Sequence, residues 1–361
     1  MRNILIVGYY GYENAGDELL LRQTVEIIRS QNQDAFCYIL YNKRNIAKAG
    51  EIPNSKLIDR WSFFGIISAL KKVDTVIYGG GGLFQDTTSA KSFLYYLGIL
   101  ILALIQKKQV YFLAQGFSHI KRTWLRLIFR IALKKVMKIS VRDEASFDAF
   151  KKLGYPLSNL YLATDLAFNQ ELKSCSKIIL PLNQKTSVNV KPETNEFIGI
   201  SFRVFRNLDL NKEVLAQFLN QFDKKNLVFL NLQPPFDYEA FRDLLPLKSV
   251  NKVIDLKDYL LNNQPLSDKL NLVVGMRYHA LVYAALHEIP FLALAYDQKV
   301  KNLAIEFEQE YLDLTKPLYL VDFIKKYNKV TKNLDFYQAK IEANLQKQLQ
   351  KAQNNVKIFE G

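Results

Sequence analysis

The chain has 361 residues, which at roughly 150 per domain predicts about two domains, enough to bury more than one core. With 49% hydrophobic and 23% charged residues, it has the make-up of a folded globular protein and not of a disordered one. Two cysteines, Cys37 and Cys175, exclude a disulfide scaffold and a Cys-only metal site and fit a reducing compartment, while a net charge of +14 calls for an anionic partner: nucleic acid, a membrane surface or a phosphorylated substrate.

The N-terminus has no long apolar stretch with a small-residue cleavage site, which argues against a secretory signal and for a cytoplasmic protein. Residues 3–7 predict a buried strand, followed by a helix over 17–30, a strand over 35–40, a helix over 63–72 and a strand over 73–78. The rhythm continues with helices over 89–105, 121–136 and 144–153 and strands over 109–113, 138–141 and 160–163. The longest apolar run, 93–105, has 13 residues, too few to span a bilayer alone. Strand–helix alternation of this kind predicts βα units on a mainly parallel sheet, a Rossmann-like domain over 1–168.

Residues 169–196, with two prolines and many Ser, Asn, Lys and Thr, read as an interdomain linker. Alternation restarts with strands over 197–201, 227–232, 271–275 and 291–295, a second Rossmann-like domain over 197–330. Ile341, Leu345, Leu349, Ala352 and Val356 recur at helical spacing, so 331–361 predicts a C-terminal amphipathic helix. The fold class is therefore α/β: two Rossmann-like domains with mainly parallel sheets facing a central cleft, as in GT-B glycosyltransferases. Ligands of such sheets bind beyond the strands' carboxyl ends.

The candidate site residues lie at those ends. After the first strand comes Gly8-Tyr9-Tyr10-Gly11-Tyr12-Glu13-Asn14-Ala15-Gly16-Asp17-Glu18, whose glycines permit a tight turn ahead of a helix N-terminus. The spacing is not that of a dinucleotide fingerprint. Tyr10 and Tyr12 at a loop tip suit stacking on a sugar; a plain βα turn is the alternative. Gly79-Gly80-Gly81-Gly82-Leu83-Phe84-Gln85-Asp86 implies close approach of the backbone to a ligand or to a neighbouring loop. In the second half, Gly275-Met276-Arg277-Tyr278-His279-Ala280 sets Arg277 and His279 between a strand end and a helix, a place suited to phosphate or carboxylate. Lys299 follows the next strand, Arg142 and Asp143 follow the strand over 138–141, and Arg203 follows that over 197–201. Together these cations predict an anion pocket. No His, Cys and carboxylate cluster has metal-ligand spacing, so no metal is expected.

Positive charge is concentrated. No carboxylate occurs between Asp86 and Asp143, whereas eleven Lys and Arg do. Arg122, Arg126, Arg130, Lys134 and Lys138 recur every fourth residue, with Trp124 and Phe129 among the apolar remainder. Such a helix suits an anionic membrane surface, with a solvated outer face as the alternative. Nucleic acid is disfavoured, since no recognised binding motif accompanies the charge.

The set GYYGYENAGDE, GGGGLFQD, SVRDEAS, ATDLAF and GMRYHALVYA, in this order and spacing, resembles the polysaccharide pyruvyltransferase family and its CsaB-like branch, from about residue 4 to about 303. The resemblance implies a GT-B-like fold and transfer of the pyruvyl group of phosphoenolpyruvate, a co-substrate and not a resident cofactor, to a sugar as a cyclic ketal. It implies as acceptor a lipid-linked cell-wall saccharide carrying N-acetylmannosamine, met at the inner face of the cytoplasmic membrane. It matches Arg142, His279 and Lys299, with Arg277 beside them, to the donor side, and Tyr10, Tyr12, Asn14 and Arg60 to the acceptor side. Tyr12 stands where the family has phenylalanine. His279 is the candidate general acid; Asp17, Asp86 and Asp143 are candidate bases. Two other readings fit the architecture: a glycosyltransferase using a nucleotide sugar, and a non-catalytic saccharide-binding module at a membrane.

Overall fold

The computed structural model describes residues 2–360 except 49–51, 86–89, 118–119, 171–196, 205–207, 222–225, 245–249, 251 and 267–269. Asp86 and nearly all of the expected linker therefore lie outside the described residues. The chain divides into two compact units, 1–170 with 348–361, and 171–347.

In the first unit, all strand pairs are parallel. The strands are β1 (Asn3–Val7), β2 (Phe36–Tyr41), β3 (Ser55–Asp59), β4 (Thr75–Tyr78), β5 (Gln109–Gln115), β6 (Lys138–Val141) and β7 (Leu160–Leu162). They run in the order β3-β2-β1-β4-β5-β6-β7. The order reverses at β1 and β4, which opens a crevice beyond their carboxyl ends. Four helices, α2 (Phe63–Lys72), α3 (Ala90–Ile105), α4 (Thr123–Leu133) and α5 (Glu144–Lys152), bury Leu70, Phe93, Phe129 and Phe150 against one face. On the other face α1 (Ala15–Gln31) packs Leu20, Leu21 and Val25 with Ile358 of the C-terminus.

Helix starts follow from their caps. Asn14 accepts from the Gly16 N–H at 3.2 Å, Ser62 from Gly65 at 3.1 Å and Asp143 from Ser146 at 2.7 Å, each satisfying a donor the helix leaves free. Phe129, expected near membrane headgroups, is fully buried and stacks among Phe84, Phe112 and Phe117. It is a core residue because positions 125, 129, 132 and 133 form the inward face of α4.

The second unit has strands β8 (Phe197–Ser201), β9 (Leu227–Asn231), β10 (Lys252–Asp255), β11 (Leu270–Gly275), β12 (Phe291–Ala295) and β13 (Glu310–Asp313). They are all parallel, in the order β10-β9-β8-β11-β12-β13, with a second reversal at β8 and β11. Helices α6 (Leu208–Leu219), α7 (Phe236–Leu244), α8 (Lys257–Asn262), α9 (Tyr278–Leu286), α10 (Gln298–Glu306) and α11 (Leu320–Thr331) follow them. The tail, expected as one helix, divides into α12 (Leu334–Ala352) and α13 (Asn354–Lys357), and its last residues join the first unit. Buried polar groups hold them there: Thr164 donates to Gln348 at 2.6 Å, Ser140 to the Asn355 carbonyl at 2.8 Å, and the Asn355 amide to the Thr164 carbonyl at 3.0 Å.

The glycine run after β4 is explained by packing. A Cβ on Gly79 would sit 2.0 Å from the Tyr10 hydroxyl, and one on Gly80 3.0 Å from Leu166. Gly79→Ala is thus expected to cost about 1–3 kcal/mol by overpacking. Because the clash is with the hydroxyl, Tyr10→Phe should recover part of that loss. Urea unfolding of the two single variants and the double variant measures the coupling; additive effects would mean that Tyr10 is not what the glycine accommodates.

Candidate active site

At the crevice of the first sheet, Tyr9 and Tyr12 stack with ring centroids 4.1 Å apart and planes 6° from parallel. The Arg60 guanidinium, carried by the loop after β3, lies 5.4 and 5.3 Å from those rings and 4.9 Å from Tyr95. Trp61 and Tyr96 complete the cluster at 5.5 and 5.7 Å. Arg60 is 3% exposed and donates to the Gly8 carbonyl at 3.2 Å and to the Tyr96 hydroxyl at 3.1 Å. Ring faces stand in for a counter-ion here, and its buried Nε has no hydrogen-bond partner among the described residues. Burial pushes the Tyr96 phenol up to about 12 against the opposing pull of Arg60. Asp17 accepts from the Asn14 amide at 2.6 Å, and its charge acts on Tyr96 and Tyr10.

Tyr10 is a correction. It is 1% exposed and packs in the core against Gly8 and Gly79, so the ring that reaches the surface is its neighbour, Tyr9, at 40%. Two successive tyrosines leave a strand in opposite directions, and the sequence did not show which turned inward. Tyr9, Tyr95, Tyr96 and Trp61 were all missed; the Tyr95-Tyr96 pair sits in a helix that reads as plain core.

Arg142, past β6, has a side chain 9% exposed, 3.4 Å from Asp165 and 3.5 Å from Asp143. It lies over Gly116, where a Cβ would come within 2.5 Å of the guanidinium. Asp143 is already engaged as a helix cap and ion-pair partner, a poor base. Asp165, inside the ATDLAF segment, is 1% exposed and was not singled out.

In the second unit Arg277 and His279 flank the start of α9, as expected. Arg277 is buried and donates through Nε to Asp237 at 2.9 Å and through Nη2 to Gln233 at 3.0 Å. Asp237, fully buried, also accepts from the N–H groups of Leu232 and Gln233. Arg277 is therefore neutralised within the protein. Arg203 instead donates to the Tyr296 hydroxyl at 2.8 Å and lies 4.9 Å from its ring. Lys299, half-buried, stands 5.9 Å from the same ring and 3.5 Å from Asp297. Of the cations expected at the donor side, Arg142 belongs to the first unit and Arg277 and Lys299 to the second. Each has a carboxylate neighbour, Asp165 and Asp143 for Arg142, Asp237 for Arg277 and Asp297 for Lys299, and Arg203 and Lys299 share the Tyr296 ring. Beside them the buried Ser201 hydroxyl and both Asn231 amide atoms have no hydrogen-bond partner among the described residues. Such orphans call for a ligand or water.

Two Rossmann-like domains, each with its crevice at a strand-order reversal, define a GT-B-like fold. Structures of that form superpose over nearly the whole chain. The S. aureus MnaA–UDP co-structure matches at TM-score 0.60 and 12% identity, over 95% of this chain and 91% of that one. The N. meningitidis UDP-GlcNAc 2-epimerase bound to UDP-GlcNAc matches at 0.60 and 14%, over 94% of each. Anabaena HepE in complex with UDP-glucose matches at 0.61 and 13%, over 100% and 99%. At these identities the likeness establishes the fold. Within that class the chain belongs to the polysaccharide pyruvyl transferase family, whose model matches residues 14–298. A search of curated proteins gave no match.

Two outcomes follow from the geometry. Removing one partner of a buried ion pair leaves an uncompensated charge, at a cost of about 3–5 kcal/mol. Asp237→Ala should therefore destabilise the second unit severely, whereas Asp237→Leu with Arg277→Met should be milder; denaturant melts decide, and a mild single variant would show that the pair is not structural. The second concerns pH. Tyr10, Tyr41, Tyr78, Tyr95 and Tyr96 all titrate above the ordinary tyrosine value because of burial. The unfolded chain therefore loses these protons first, so stability is full below about pH 10 and falls above it. A thermal midpoint flat across that point, with the chain still folded, would contradict the burial of these phenols.

Proposed function

We propose that this transferase moves the pyruvyl group of phosphoenolpyruvate onto two hydroxyls of one sugar, forming a cyclic ketal and releasing phosphate. The acceptor in this reading is a lipid-linked cell-wall or extracellular polysaccharide precursor, as in the CsaB-like branch, with N-acetylmannosamine as its sugar. The enzyme meets it at the inner face of the cytoplasmic membrane. The observation that carries the proposal is the strand-end group of the second unit. Arg203 and Lys299 flank Tyr296, and the same ends of the sheet carry His279 in the first turn of a helix and the orphaned Ser201 and Asn231 groups.

The chemistry fits these side chains. Phosphoenolpyruvate carries a carboxylate and a phosphate, which Arg and Lys hold by charge-assisted hydrogen bonds. Proton transfer from His279 to C3 would leave an oxocarbenium-like centre at C2. A sugar hydroxyl adds there and yields its proton to a carboxylate; phosphate then leaves, and the second hydroxyl adds to close the ketal, its proton restoring His279. Among the candidate bases, Asp17 stands near the aromatic cluster, while Asp143 is held as a cap. In that cluster the exposed Tyr9, stacked on Tyr12, supports a sugar face, and the orphaned Nε of Arg60 has a hydrogen bond to give. Arg142 belongs to the donor side by resemblance, acting from its seat on Asp165.

Known complexes of this fold hold UDP or UDP-sugars, so a nucleotide-sugar donor is the rival reading. Thermal shift separates the two. Phosphoenolpyruvate is expected to raise the midpoint and UDP-GlcNAc to leave it unchanged; the reverse result would replace the proposal. With a soluble N-acetylmannosamine-containing acceptor, mass spectrometry should show a pyruvyl adduct and stoichiometric phosphate. His279→Ala, folded by circular dichroism, should lose about 10²–10⁴ in rate; near-wild-type turnover would remove the histidine from the mechanism.

A further inference from the structure

Both tryptophans of the chain, Trp61 and Trp124, are exposed, at 65% and 52%, and both belong to the helical layer over one face of the first sheet. α3 has no charged residue from Ser92 to Ile105, so its solvent side, including the exposed Leu94 and Ile105, is apolar. α4 has three sides. Leu125, Phe129, Ala132 and Leu133 face the core. Arg122, Arg126, Arg130 and Lys134 form a second side, toward α5, where Arg130 reaches to within 3.4 Å of a Cβ placed on Gly154. By helical spacing the exposed Trp124, Leu127, Ile128 and Ile131 fall on the remaining flank, toward α3, which packs on α4 through Phe93 and Phe129 at 5.6 Å. Trp61, 5.0 Å from Tyr95 of α3, continues the surface to Phe63 and Phe64, exposed at 61% and 84%.

We infer that this α2–α3–α4 face is an interfacial docking surface for an anionic bilayer, its apolar residues entering the headgroup region and the α4 cations meeting lipid phosphates. Exposed apolar area of this extent marks an interaction site. Charge selects the occupant: Arg122, Arg126, Arg130 and Lys134 border the face, and the sequence has no carboxylate between Asp86 and Asp143. A second copy docked on the same face by a two-fold axis would bring those cations against their own kind, whereas an anionic membrane complements them. Tryptophans at the margin suit the interface between water and hydrocarbon. Among the described residues no helix is long and apolar enough to cross a membrane, so the face would lie on the bilayer and not span it. Trp61 and Tyr95 also border Arg60, so a docked chain would hold its aromatic cluster beside the lipid surface. The expectation of a stripe from Arg122 to Lys138 is thereby changed. Trp124, Leu127 and Ile131 replace Phe129 as the inserting residues, and Lys138 leaves the set, since it bonds the Glu360 carbonyl. The inference shares with the proposed function only the lipid-linked acceptor, and its test uses no substrate.

Because the only tryptophans lie on the face, intrinsic fluorescence of the full chain reports docking. Vesicles of phosphatidylcholine with phosphatidylglycerol should shift the emission to the blue and sediment the protein. Vesicles of phosphatidylcholine alone should do so weakly, and added salt should reverse the difference. Reversing Arg122, Arg130 and Lys134 to Glu should weaken binding at least about tenfold, and Leu127→Ser with Ile131→Ser should do likewise while the midpoint of unfolding is kept. No shift and no sedimentation would overturn the inference. So would a dimer, seen by light scattering in buffer, that the Leu127 and Ile131 changes dissolve while vesicles bind neither form.

Discussion

All-parallel pairing constrains this molecule more than any single contact. A parallel strand cannot return through a tight hairpin; it must cross over through a helix on one face. Each of the two sheets therefore starts in the middle, builds outward on one side and then resumes on the other. The strands that meet at the reversal, β1 with β4 and β8 with β11, send their following loops apart. Backbone N–H groups and helix N-termini are left facing an open crevice. The aromatic cluster of the first unit and the Arg203–Tyr296–Lys299 group of the second both lie beyond the carboxyl ends of their strands for that reason.

The fold holds its buried arginines in two different ways. Arg277 is matched by the carboxylate of Asp237, itself braced by two backbone N–H groups. Such a pair is costly to break and of small net worth, so it secures the loop after β11 more than it attracts a ligand. Arg60 is matched by phenol rings, one carbonyl and one hydroxyl. Ring quadrupoles stabilise a cation without neutralising it, which leaves positive potential in the crevice. Among the described residues Arg60 has no carboxylate partner and keeps hydrogen-bonding capacity for an incoming polar group, whereas Arg277 has committed Nε and Nη2 within the fold.

How far the sequence could be read follows from the same physics. Central strands such as 3–7, 197–201 and 291–295 are buried on both faces and read as unbroken apolar runs. The edge strands β3, β10 and β13 escaped notice because they are half-exposed and carry Lys56, Asp59, Lys252, Asp255, Glu310 and Asp313, the charges with which edges are normally protected. At the sites, residues fixed by a strand end, such as His279 and Lys299, were legible from position alone. Partners that arrive from distant segments were not: Asp237 lies 40 residues before Arg277, and Tyr95 35 residues after Arg60. Tyr10 was misplaced for a local reason. A loop of alternating Gly and Tyr does not declare which ring the glycines are there to admit.

The apolar and basic character of 90–138 also has a physical explanation that folding alone does not supply. Burial in the first core requires only one side of α3 and α4, and Phe93, Leu100, Leu125 and Phe129 provide it. The remaining sides of a solvated Rossmann helix are ordinarily polar and of mixed charge. Here one outer side is apolar, another carries Arg122, Arg126, Arg130 and Lys134 from a segment whose sequence contains no carboxylate, and both tryptophans stand at the N-terminal ends of the layer. Each departure costs solubility in water and gains nothing for the core. The docking surface inferred above would account for them together, because a bilayer rich in anionic lipid is apolar within and negatively charged at its boundary.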